Sequence, residues 1–339
     1  MYQANTVFIV ALGVSLMIPS ACYPQQLGIL GEAAKKPEDI AGTIIDEMHM
    51  EVQSATRFAT CYAGSYMNDG RAKPNANGVF EFVGFYARGH NKSGERQVRV
   101  WSANDATVNG QFLPFFYTND RLFTKNKWSY TKCGSPVKDV DPHEEKGEYR
   151  FRGLCLDSRL AMIQFAYGIS SGKARGLCEE HYFLSSNLVS AERTQEGNII
   201  AVVQGPGKNR FHCTLDKRYE FRPSKIAVTK EDADLLDGDT NAIVINEIRW
   251  TQEKDAEKGK LTRWIADAGK NTQYGGGTKA SAPRAISYSW KAAWWYGDDV
   301  PAHVFSKEHV TSDSGKLFDE FGKFIEKASS VRSFDEAGG

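Results

Sequence analysis

Residues 285–296 read Ala-Ile-Ser-Tyr-Ser-Trp-Lys-Ala-Ala-Trp-Trp-Tyr, and their alternation decides the fold class. Ile286, Tyr288, Trp290, Ala292, Trp294 and Tyr296 fall on one side of an extended chain, with Ser287, Ser289 and Lys291 on the other. Successive side chains of a strand point to opposite faces, so this is a strand with one apolar face. The face reads first as core; the alternatives are a surface that stacks sugar rings or the lining of an apolar cavity. In those alternatives Tyr288, Trp290, Trp294 and Tyr296 are the ligand-lining candidates.

The same period recurs on both sides of this strand. Upstream, Phe58, Tyr62 and Tyr66 share a face, as do Phe80, Phe82 and Tyr86; Val98 and Val100, residues 112–117 and residues 122–130 follow. Later come residues 198–204, 210–215, 225–229, 242–251 and 261–266. The separators are turn-like, among them Asn68-Asp69-Gly70, Asn75-Ala76-Asn77-Gly78, Asn91-Lys92-Ser93-Gly94 and Asn119-Asp120. Short polar connections join antiparallel neighbours, whereas parallel ones need long crossovers. Three helical patterns accompany the strands. Residues 37–52 carry Ile40, Ile44 and Met48 behind Pro37; residues 157–167 carry Leu160, Ile163 and Tyr167 behind Asp157; Leu317, Phe318, Phe321, Phe324 and Ile325 close the chain. Residues 137–148 read as a charged loop. The expected class is α+β: one large antiparallel sheet with an N-terminal, a mid-chain and a C-terminal helix packed on it. Residues 23–310 form the expected single β-rich domain and 311–339 a helix with a polar tail.

Residues 6–21 are an uncharged apolar run of 16, ending in Pro19, Ser20 and Ala21. A bilayer span needs about 20 residues, so the run suits a signal segment over residues 1–22 and an exported product. Cys22 follows at once and is the candidate for lipidation and a membrane tether, although Pro19 stands where a lipobox carries Leu. Of the six cysteines, loss or lipidation of Cys22 leaves Cys61, Cys133, Cys155, Cys178 and Cys213. Export makes these five the disulfide candidates, one of them unpaired. Lys+Arg and Asp+Glu balance at 42 each, so no net basic field draws nucleic acid.

Residues 168–172, Gly-Ile-Ser-Ser-Gly, match the nucleophile elbow of α/β-hydrolases, which gives a second functional hypothesis: a serine hydrolase with Ser170 as nucleophile and His303 as its base. The preceding segment looks helical and the upstream elements are hairpin strands, so the setting argues against it. Ser170 with Lys173, and equally Ser135 with Lys138, match a Ser-x-x-Lys dyad with no Lys-Thr-Gly after it. Cys155, Cys178, His181, His212 and Cys213 lack the paired spacing of a zinc site. The acidic run Asp232, Asp234, Asp237, Asp239 puts Leu236 and Asp237 where a calcium loop needs an oxygen ligand and Gly. Residues 205–208 and 275–279 are glycine-rich without phosphate-loop spacing and read as hairpin loops. No cofactor is expected.

Three segments, residues 117–123 (Tyr-Thr-Asn-Asp-Arg-Leu-Phe), 214–226 (Thr-Leu-Asp-Lys-Arg-Tyr-Glu-Phe-Arg-Pro-Ser-Lys-Ile) and 300–305 (Val-Pro-Ala-His-Val-Phe), together with the element order, resemble the bacterial lipoprotein-carrier (LolA/LolB-like) fold. The resemblance implies a strongly curved half-barrel sheet wrapped around helices, enclosing an apolar cavity for acyl chains. It brings no catalytic signature and no binding residue by motif. The expectation is a non-catalytic exported protein that binds a lipid or other apolar ligand; an envelope interaction protein that works through its outer face is the third alternative.

Overall fold

The computed structural model describes residues 35–54, 57–67, 79–124, 127–132, 134–140, 184–205, 208–230, 233–254, 261–282 and 284–335. Among the described residues, thirteen strands form one open, curved antiparallel sheet. They are β1 (Arg57–Met67), β2 (Phe80–His90), β3 (Arg96–Val108), β4 (Gln111–Thr124), β5 (Lys127–Lys132), β6 (Lys138–Val140), β7 (Leu188–Arg193), β8 (Ile199–Gln204), β9 (Arg210–Asp216), β10 (Arg222–Thr229), β11 (Val244–Lys254), β12 (Leu261–Gly275) and β13 (Arg284–Tyr296). Two α-helices lie among the described residues, α1 (Pro37–Ser54) and α2 (Ser314–Ser330). The expected mid-chain helix falls on residues 157–167, outside the described residues.

The sheet consists of two meanders, β1 to β6 and β7 to β13, joined where β1 pairs with β13. Each meander follows from short connections between neighbours. The seam between them joins Phe58 to Tyr296 and Gly64 to Trp290. Strands β6 and β7 therefore stand at the two ends of the strand order.

Both faces of the central strands are buried, and residue size replaces polarity as the alternating property. In β1 the large Phe58 and Tyr62 face α1, while the small Ala59, Cys61 and Ala63 face α2. Ala87, Ala103 and Ala293 continue the small set on neighbouring strands, so α2 packs closely there through Leu317, Phe321, Phe324 and Ala328. Helix α1 sets Ile40, Ala41, Ile45 and Met48 into the opposite cluster and packs on β7, β8 and the turn Ser185–Asn187.

Several boundaries differ from the sequence reading. Asn119-Asp120 is not a turn; it lies inside β4, because Asp120 is paired with Arg99 at 2.6 Å with both side chains 0% exposed. The run 122–130 divides into the end of β4 and the start of β5. The segment read as a loop begins with β6, which β5 holds by three residue pairs from Trp128–Val140 to Tyr130–Lys138. Strand β7 carries no clear apolar alternation, and β12 continues through the polar residues 270–273 because both neighbours supply partners for its backbone.

Candidate functional site

Strand pairing turns the aromatic face of β13 into the middle of a broad floor on the α1 side. Trp290, Ala292, Trp294, Tyr288 and Tyr296 belong to one cluster with Phe58, Tyr62 and Tyr66 of β1 and Phe82 and Tyr86 of β2. The register sets them in rows. Tyr296 lies opposite Phe58, then Arg88, Val98, Phe123 and Trp128 in successive strands. Tyr288 lies opposite Tyr66, then Phe80. Going the other way, the Tyr288 row continues through Asn271, Asn246, Ile226, Cys213, Ala201 and Ala191 to β7.

Three rings lie flat on this floor because the strand beneath them has no side chain. A Cβ on Gly64 would stand 2.6 Å from the ring of Phe82, one on Gly84 2.1 Å from Tyr62, and one on Gly269 2.5 Å from Trp290. The rings also contact one another. Centroids are 5.2 Å apart for Tyr66 and Phe80, 5.3 Å for Tyr66 and Tyr288, and 6.4 Å for Phe58 and Trp294, the tilted and offset separations that aromatic quadrupoles favour. Tyr66, Tyr288 and Tyr296 are half-buried, whereas Trp290 and Trp294 are buried.

The floor is not wholly apolar. The guanidinium of Arg88 stands 5.2 Å from the Phe58 ring and that of Arg263 3.4 Å from Tyr296. Arg121 donates to Asn119 Oδ1 at 2.9 Å. Toward Tyr288, the Asn271 amide donates to Asn246 and accepts from Gln273 Nε2 at 3.0 Å; Asn246 and Asn271 are buried.

The sequence candidates distribute as follows. Tyr288, Trp290, Trp294 and Tyr296 lie together on the floor, and the tyrosines and phenylalanines of β1 and β2 join them, carrying the same alternation that made them strands. Asn246 and Asn271 gave no local signal, since only the register brings them face to face. Ser170 lies outside the described residues, as do Cys22, Cys133, Cys155, Cys178 and His181. His303 is exposed on the turn Ala302–Phe305, with its ring 5.5 Å from that of His309.

The disulfide expectation is corrected at two positions: Cys61 and Cys213 carry free thiols. They are buried in different clusters, one facing α2 and one facing α1, and burial pushes both thiols far up from their ordinary range. His212 and Cys213 are strand neighbours that point to opposite faces, so they do not share a metal. His212 meets Thr229 Oγ1 at 3.0 Å, and desolvation holds its imidazole below the usual histidine range. In the acidic run, Asp234 pairs with Arg210 and Asp239 with Lys225. Among the described residues no group of three or more His, Cys, Asp or Glu side chains is placed to hold a metal ion.

No family model matches the chain, and no curated protein matches it. Similar solved structures include a DUF1329 family protein from Desulfovibrio piger, at 10% identity and a TM-score of 0.44, covering 82% of this chain and 100% of that one. A protein described as an outer membrane lipoprotein-sorting domain, from Vibrio parahaemolyticus, matches at 10% identity and a TM-score of 0.36 over 79% of this chain and 98% of its own. LprF from Mycobacterium bovis matches at 10% identity and 0.27, over 76% and 94%.

Proposed function

We propose that this protein is a non-catalytic binding protein that takes a lipid or other apolar ligand on the α1 face of its sheet. One observation carries the reading. The aromatic floor runs continuously from β5 through the seam to β12, while α1 packs on β7, β8 and the turn beside them. A broad floor of large aromatic rings with half-buried tyrosines among them is the predominantly apolar lining that ligand sites carry. The half-buried Tyr66, Tyr288 and Tyr296 are the floor residues placed to meet the ligand first. In this reading the protein works outside the cytoplasm, the compartment that the apolar run 6–21 supports.

Native mass spectrometry of the purified protein, followed by organic extraction, tests the proposal. A co-purifying apolar molecule is expected, and Tyr288→Asp lowers its occupancy by placing a charge on the floor. A protein that emerges empty and fails to bind an apolar fluorescent dye such as N-phenyl-1-naphthylamine overturns it.

A further inference from the structure

Three tryptophans of the α1 face, Trp250, Trp264 and Trp294, spend their indole N–H groups on identified acceptors, and Trp290 does not. Trp250 donates to the Pro223 carbonyl and Trp294 to the Ala266 carbonyl, each at 2.9 Å; Trp264 donates to Glu220 Oε2 at 3.0 Å. Trp290 is 1% exposed and its Nε1 has no partner. Native structures carry few such buried donors, because each forfeits the hydrogen bond it made with water.

The surroundings of that N–H are specific. The ring of Trp290 lies over Gly269, where a Cβ would stand 2.5 Å from Cζ2 and 2.8 Å from Cε2, the carbon that carries Nε1. The donor therefore sits over β12. The next residue of β12 on the same face is Asn271, 0% exposed, whose amide is engaged by Asn246 and Gln273. Tyr288 lies opposite Asn271 and two residues from Trp290, at the half-buried end of the row. A polar spot is thus built into the aromatic floor, with its amides satisfied and its indole donor left over.

We infer that Trp290 is the polar anchor of the ligand site: its N–H receives a carbonyl oxygen of the bound molecule. This rests on the binding function proposed above and narrows it to a chain-bearing ester or amide as opposed to a bare hydrocarbon. The carbonyl points to β12, and the hydrocarbon part runs toward the half-buried Tyr288 at the end of the row. Trp101, a second buried indole without a partner, lies on the other face beneath Phe321 of α2 and is the internal control.

The test uses the full chain and two probes of matched length, methyl palmitate and octadecane, each displacing N-phenyl-1-naphthylamine. The wild-type protein is expected to bind the ester about tenfold more tightly than the alkane, the worth of one hydrogen bond to a buried donor. In Trp290→Phe the preference is lost, so that ester and alkane bind alike; in Trp101→Phe the preference keeps its wild-type size. A wild type without preference, as a buried water on the N–H would give, overturns the anchor while leaving apolar binding intact. So does a Trp290→Phe protein that keeps the preference. Binding of neither probe by the wild type overturns both proposals. Should Trp290→Phe fail to fold, the indole 15N–1H resonance of Trp290 in the wild type decides. It shifts on loading with methyl palmitate and not with octadecane, and an unmoved resonance sinks the idea.

Discussion

Arg99 meets Asp120 through two bonds of 2.6 Å, and its remaining N–H groups reach the carbonyls of Val304, Ser306 and His309. Asp120 also accepts from the Thr311 N–H at 2.9 Å, so one buried pair clamps the segment before α2 onto the sheet. Burial pushes the Asp120 carboxyl up, and Arg99 draws it back toward the charged form. Removing one partner strands the other charge: Arg99→Met is expected to cost about 3–5 kcal/mol, and Arg99→Met with Asp120→Leu to recover much of it. Urea unfolding checks both, and equal losses in the two variants would refute the account. His212 gives a pH-dependent counterpart. Its folded pKa lies below the unfolded value of about 6.5, so the unfolded chain binds the extra proton first. Stability contributed by the neutral ring is full above that value and is lost as pH falls from it through the folded pKa. Between pH 7.5 and 5.5 the urea midpoint of the wild type should fall further than that of His212→Gln; parallel falls would remove His212 as the cause. These cases mark what single residues reveal in a sequence. The tryptophans of β13 announced their face through alternation with serine and lysine. Asn119-Asp120 read as a turn because the residue that makes Asp120 tolerable in a strand lies 21 positions away.

Helix α2 shows the balance of local and packing terms in one element. Its start is capped by Asp313, whose Oδ1 accepts from Gly315 N at 2.9 Å and Lys316 N at 3.4 Å. Its buried side places Phe321 4.8 Å from Phe85 and 5.2 Å from Trp101, over a patch of alanines and Cys61. Loss of the cap in Asp313→Ala should cost about 1 kcal/mol. Phe321→Ala leaves a cavity against a sheet that cannot follow, and about 3–5 kcal/mol is expected. Denaturant unfolding of the two variants gives the order directly, and a cap effect equal to the core effect would contradict the packing described. Elements of this kind were legible where one property alternated strongly: α1, α2 and the aromatic strands. The shorter β6 and β7 and the polar half of β12 were not, since their hydrogen-bond partners rather than their side chains make them strands.

At the scale of the molecule, the pattern of short turns was enough to read an antiparallel meander, but the pairing of β1 with β13 left no local trace. Arg57 donates to the Val300 carbonyl at 3.1 Å across 243 positions of sequence, a contact that turn chemistry cannot announce. That seam also places the aromatic rows of β1, β2 and β13 side by side, so most of the candidate site depends on the pairing that was hardest to foresee. Contacts so far apart in sequence carry a large loop-closure entropy and slow folding. A chain ended at residue 283 keeps the whole N-terminal meander yet lacks the partner of β1. Such a chain is expected to associate through that bare edge, giving oligomers in size-exclusion chromatography; a well-folded monomer would refute this. The same geometry sets an order of events in the cell. Synthesis delivers β13 after every other described strand, and until it arrives the growing polypeptide holds two separate meanders, β1 to β6 and β7 to β12, with the facing edges of β1 and β12 unpaired. The interval between those moments is when this protein most needs a chaperone, and its yield should respond to translation speed near the C-terminus more than to changes in its first half.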